Sequence, residues 1–136
     1  TLVAGGVGRS ETGGQAQTMV WRVGDDCTYV GSALAQDPAG ALSFSPDGEM
    51  LAIAGEASGV HILRVRPRLE LAQSIPTSLA RSIAWSPDGR HLLTGEDSGV
   101  MIRGATGGEE RPLRRLPLEG RVALLACARG CARIVC

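Results

Sequence analysis

The chain has 136 residues, and fourteen basic residues, all of them arginine, balance fourteen acidic ones. That length fits one ordinary domain, and a net charge of zero gives no global field to draw in nucleic acid or an anionic membrane. Aromatics make up only 3%, glycines number nineteen, and no run approaches the roughly eighteen apolar residues of a membrane span, so short strands joined by tight turns fit better than a helical bundle.

From the N-terminus, Thr1 to Gly5 and Gln17 to Val23 read as two strands, with Cys27 to Leu34 as a third. The stretch "AGGVGRSETGG" between the first two is tested first as a phosphate loop. It has no lysine to reach a phosphate, and Glu11 stands where the dinucleotide fingerprint needs its third glycine. No cofactor is expected. The opening lacks a basic start followed by an apolar run, so no signal peptide is expected in it. Its first residue is Thr1 rather than Met, and the chain is expected to be part of a longer chain or of a complex.

A repeat follows. Residues 41–65 read ALSFSPDGEMLAIAGEASGVHILRV, and residues 82–104 read SIAWSPDGRHLLTGEDSGVMIRG, one residue shorter before "SGV". In the first copy Ala41 to Phe44, Met50 to Ala54 and Val60 to Val65 are three short apolar runs. Pro46, Asp47 and Gly48 suit a type I turn after the first run, and Pro87, Asp88 and Gly89 repeat it. Glu56 to Gly59 and Glu96 to Gly99 make a second turn closed by glycine. A fourth run comes after each copy, Leu69 to Ile75 and, more weakly, Pro112 to Leu118. Beyond Gly120, "RVALLA" suits a further strand, whereas "ARGCARIVC" has no matching turn or alternation. Residues 121–136 are therefore either the start of another unit or a disordered tail.

Cys27, Cys127, Cys131 and Cys136 have no close pairs and no adjacent histidine, so neither a metal site nor a disulfide framework is expected. Thiols of this kind fit a reducing, cytoplasmic setting. His61 and His91 read as ordinary strand positions, and Asp47 and Asp88 as turn residues. Arg111, Arg114, Arg115 and Arg121 lack interleaved aromatics, which argues against nucleic acid. No Ser-His-Asp or Cys-His arrangement can be read, and the expectation is a chain that is not an enzyme.

Four strands per repeat of about forty residues describe one blade of a β-propeller. Phe44 and Trp85, each before Ser-Pro-Asp-Gly, make the repeats resemble the WD40 family. The likeness runs over residues 1–118 and departs where the Trp-Asp pair would stand, at Trp21-Arg22 and Leu63-Arg64. It implies an all-β, WD40-type β-propeller with about three blades. A partial blade covers residues 1–34 and blades cover 41–75 and 82–118, within a propeller region of 1–120. Closed propellers need about four blades or more, so the ring is expected to be completed by a longer chain or another chain.

The function expected of such a fold is a scaffold whose rim loops bind other proteins. The candidate partner-binding residues lie between second and third strands: Gly5, Gly6, Gly8, Arg9, Glu11, Thr12 and Gly13, then Glu56 and Ser58, then Glu96, Asp97 and Ser98. The first of these loops, Gly6 to Ala16, is the longest. It resembles the opening of the prolactin regulatory element-binding family of endoplasmic-reticulum exchange factors. Ala4, Gly5, Gly6, Gly8, Thr12 and Gly13 match that pattern, while Val7, Glu11 and Ala16 depart from it. That resemblance implies an alternative: a guanine nucleotide exchange factor on the cytosolic face of that membrane. Its loop would press on the small GTPase that begins COPII assembly.

Overall fold

The computed structural model describes residues 2–9, 16–35, 39–55, 59–105, 112–118, 122–123, 125–127 and 134–135; for 2–9, 16, 33–35 and 134–135 it describes the backbone alone. Every regular element among these residues is a strand. β1 (Leu2–Arg9), β2 (Ala16–Val23) and β3 (Cys27–Ala35) form an antiparallel three-stranded sheet. β4 (Ala39–Phe44), β5 (Met50–Gly55), β6 (Val60–Arg64) and β7 (Glu70–Ile75) form a four-stranded meander. β8 (Ala80–Trp85), β9 (His91–Glu96), β10 (Gly99–Gly104) and β11 (Arg114–Leu116) form another. β12 (Ala126–Cys127) pairs with β13 (Ile134–Val135), so the segment that showed no strand alternation contributes a short ladder.

The repeated Ser-Pro-Asp-Gly is one self-contained hydrogen-bonded device. Gly48 N–H donates to the Ser45 carbonyl at 2.9 Å, closing the turn with Gly48 at φ 72°. Asp47 Oδ1 accepts from the Ser45 hydroxyl and from Glu49 N–H, while Ser45 Oγ accepts from Met50 N–H at 2.9 Å. Ser86, Asp88, Arg90 and His91 repeat each bond. The serine therefore caps the start of the following strand, and the aspartate anchors the serine. These bonds explain why the two copies share these letters. The serine hydroxyl first, and the backbone N–H second, hold both aspartate carboxyls below their ordinary range.

The second shared stretch, "SGV", has a steric cause. Gly59 and Gly99 have φ of 86° and 125°, which L side chains rarely adopt. A Cβ on Gly59 would lie 2.5 Å from the Ile75 carbonyl oxygen, and one on Gly99 would lie 2.2 Å from that of Leu116. Here β6 and β10 begin against the ends of the outer strands, and only glycine fits.

The sheets stack face to face through three apolar clusters. Val20 of the first sheet meets Leu51, Ile53, Leu63 and Val65 of the second. Ala52, Ala54, Val60, Ile62 and Ile75, on the opposite face of the second, meet Ile83, Trp85 and Leu92 of the third. Ala84, Leu93 and Val100, on the far face of the third, pack with Val122 and Leu125. Alternation along each strand thus buries both faces of the central sheets, each fully buried Leu or Ile being worth about 1.5–3 kcal/mol. Trp85 fixes the middle stack with a hydrogen bond from Nε1 to the Ser43 carbonyl at 3.0 Å.

One expectation changes. Gly5, Gly6, Gly8 and Arg9 are not in a loop but in β1, opposite Val20, Met19, Gln17 and Ala16. Glycine carries no side-chain pattern to reveal a strand, yet its backbone pairs with β2 as well as any residue. Glu11, Thr12 and Gly13 lie outside the described residues, as do Glu56 and Ser58.

Candidate interaction face

In the second and third sheets the second and third strands, β5–β6 and β9–β10, are joined as hairpins. In the third sheet, Glu96 pairs with Gly99, leaving Asp97 and Ser98 as a two-residue hairpin turn. In the second sheet the matching hairpin is longer, closed by Gly55 N–H to the Gly59 carbonyl at 2.8 Å. The one-residue difference between the copies falls in this hairpin.

Asp97 projects from the turn with its side chain 58% exposed, and its Oδ1 lies 3.6 Å from Arg81 Nε. From the outer strand, Arg115 donates to the Ser98 carbonyl through Nη2 at 3.0 Å and Nε at 3.3 Å. A planar guanidinium with two N–H bonds on one carbonyl fixes the turn from the outside.

Glu96, by contrast, is not on the rim. It is 4% exposed, and its carboxylate is bound on both oxygens. Oε1 accepts from Arg103 Nη2 at 2.8 Å and from Thr94 Oγ1 at 2.9 Å, and Oε2 accepts from the Ser78 hydroxyl. The physical reason is register. β9 continues through Glu96, so its side chain shares the inward face of Leu92 and Thr94. A carboxylate out of water must be paired, and Arg103, also 4% exposed, supplies the charge. Ser78 brings in the connection between β7 and β8, so one carboxylate ties three segments together.

Ser78, Thr94 and Arg103 were not among the residues expected from the sequence. The signal lay in the difference between the copies: Thr94 and Arg103 stand where the first copy has Ile53 and Leu63. The histidines keep ordinary roles. His61 Nδ1 is 2.9 Å from Ser74 Oγ across the sheet, and His91 Nδ1 is 3.9 Å from Asp88 Oδ1. On the outer edge, Glu70 bonds Arg68 and Arg64, which hold its carboxyl below the usual range. Among the described residues no three His, Cys, Asp or Glu side chains are grouped to hold a metal. None of the helical length needed to cross a membrane is present there either.

No family model matches the chain, and no curated protein matches it. Solved structures do. A chain of the mitotic checkpoint complex matches at TM-score 0.65 and 18% identity, over 91% of this chain and 42% of its own. A Bacteroides fragilis protein described as a 6-phosphogluconolactonase matches at TM-score 0.68 and 18% identity, over 96% of this chain and 41% of its own. Hydrazine synthase of Kuenenia stuttgartiensis matches at TM-score 0.57 and 15% identity, over 64% and 25%. The chain thus spans less than half the length of each of these.

At such identities the likeness is one of fold. With the stacked antiparallel sheets it makes the chain an all-β, β-propeller-type structure that forms part of such a ring. The same neighbours correct the expectation that this chain is not an enzyme. Its blade architecture also occurs in a protein described as a 6-phosphogluconolactonase, so the fold does not separate scaffold from enzyme. The likeness assigns no activity to this chain.

Proposed function

We propose that this chain is a WD40-type segment that binds partner proteins through the face carrying the Asp97–Ser98 turn. The observation that carries this reading is the construction of that turn. Exposed Asp97 and half-buried Ser98 stand on a rigid scaffold, braced by Arg115 from outside and by the buried Glu96–Arg103 pair beneath. Preorganised loops of this kind lose little conformational entropy when a partner binds. The mitotic checkpoint complex supports the reading at the level of fold, since a similar chain there works within a protein assembly. Asp97 and Ser98 are the proposed contact residues, and Glu56 and Ser58 belong to the matching hairpin of the preceding blade. The exchange-factor alternative gains no support from the structures this chain resembles.

A site-specific test uses a photoactivatable cross-linker placed at Ser98 and, as a control, at Leu71, which is 59% exposed on the outer strand. In extract from the natural source, the Ser98 probe is expected to give discrete adducts that the Leu71 probe does not. Equal adducts at both positions, or none at Ser98, would reject the face.

A further inference from the structure

Next to the Asp97–Ser98 turn a cleft of about 450 Å³ opens, bounded by Gly40 at the start of β4 and by Leu79, Ala80 and Arg81 at the start of β8. Among the described residues that bound it, Arg81 is the charged one. Its side chain is 40% exposed, and Asp97 Oδ1 is 3.6 Å from its Nε, an ion pair beyond hydrogen-bond length. Among the described residues its guanidinium makes no hydrogen bond. An arginine carries five N–H donors in a planar fork that matches a carboxylate, and those donors are unspent here.

The strand beneath Arg81 is fixed on both sides. Ala80 and Ser82 are 1% and 4% exposed, and the Ser82 hydroxyl donates to the Val122 carbonyl at 3.1 Å. Arg81 is thus presented into solvent from a rigid strand beside an open cleft whose other described walls, Gly40, Leu79 and Ala80, are uncharged. A donor fork carried on a rigid strand beside a polar cleft is an arrangement that recognises an anion.

We propose that this cleft takes a carboxylate side chain from an acidic segment of a partner protein. Arg81 supplies the counter-charge, and Asp97 is a built-in competitor for the same guanidinium. The proposal rests on the interaction face above and names the chemistry of its partner. Within that face Asp97 also tempers the affinity of the site by sharing the Arg81 guanidinium.

The test is fluorescence anisotropy of a labelled oligoglutamate peptide against the full chain at low salt, with oligoglutamine and a phosphoserine peptide alongside. Oligoglutamate is expected to bind and oligoglutamine not to. Arg81→Gln should weaken binding about tenfold or more, as loss of a charge-assisted hydrogen-bonded pair does. Asp97→Asn should strengthen it, by about threefold for an exposed competitor. Arg64→Gln, an exposed arginine on β6, should leave it unchanged. Failure of oligoglutamate to bind, an equal loss with Arg64→Gln, or no gain with Asp97→Asn would each overturn the proposal. Tighter Arg81-dependent binding of the phosphoserine peptide would overturn the carboxylate assignment. Adducts at Ser98 without oligoglutamate binding would keep the face and discard the cleft, and oligoglutamate binding without adducts would do the reverse.

Discussion

The two junctions on either side of the second blade use equivalent strand positions and fill them differently. At the first, Ile53 and Leu63 face Val20 in a wholly apolar contact, with Gly55 at the strand end. At the second, Thr94, Arg103 and Glu96 occupy those same places, as their pairing shows: Leu51 opposes Leu63 as Leu92 opposes Arg103, and Gly55 opposes Ala39 as Glu96 opposes Ala80. An apolar junction gains stability from each buried group. A buried ion pair gains little net stability, because desolvation offsets attraction, yet it is costly to break on one side only. The second junction therefore trades some packing for a fixed geometry, and it does so directly under the exposed turn.

Breaking the pair gives the largest expected effect. Arg103→Leu copies the first junction at one position and strands the Glu96 carboxylate, at a cost of about 3–5 kcal/mol in urea unfolding. Copying all three residues, with Thr94→Ile, Glu96→Gly and Arg103→Leu together, should recover most of that loss. If the triple variant is no more stable than the single one, the two junctions are not equivalent. Leu63→Ala at the first junction, a plain cavity, should cost about 2–5 kcal/mol with no such rescue.

Next come the features the copies share. Gly99→Ala and Gly59→Ala force a side chain into a left-handed position against a carbonyl oxygen, and each should cost about 1–3 kcal/mol. Similar losses at both would show that the hairpins, unlike the junctions, obey one rule. Ser45→Ala should cost about 1 kcal/mol, and Ser86→Ala less, because Ser45 is the more buried of the two.

The aspartates of those turns add a pH dependence with a definite sign. Their folded pKa values are lowered, so their contribution is fully present above the ordinary aspartate value of about 3.9. It is lost as pH falls through the lowered folded values. Stability should therefore decline below about pH 4, and Asp47→Asn with Asp88→Asn should flatten that slope. The smallest effect is expected at the exposed Arg64–Glu70 pair, where Arg64→Gln should leave the urea midpoint unmoved.

Much of this fold is legible in the sequence because its turns are chemically explicit. Ser45, Asp47 and Gly48 carry their own hydrogen-bond logic, and Gly59 and Gly99 mark places where no side chain fits. Such signals are local, so one copy explains the other. What could not be read depends on pairing partners. β1 runs through Gly5, Gly6 and Gly8 because β2 lies beside it, and glycines have no alternation of their own to announce a strand. Glu96 was misplaced for a subtler reason. By letters it matches Glu56 in "GE-x-SG"; by strand register it matches Gly55. One residue fewer in the hairpin brings the glutamate of the second copy into β9 and so into the junction. The cleft at Arg81 was equally hidden, because Gly40 and Arg81 are brought together only by stacking β4 against β8.

The hydrogen bond from Trp85 to the Ser43 carbonyl also gives the chain its own optical gauge. Trp85 is 6% exposed and spans the second junction, whereas Trp21 sits half-buried beside the exposed Tyr29 on the first sheet. The two indoles therefore emit from different surroundings, and only the blue-shifted one responds when the second and third blades part. Separation of blades and unravelling of strands become distinguishable events, one read by fluorescence and the other by circular dichroism.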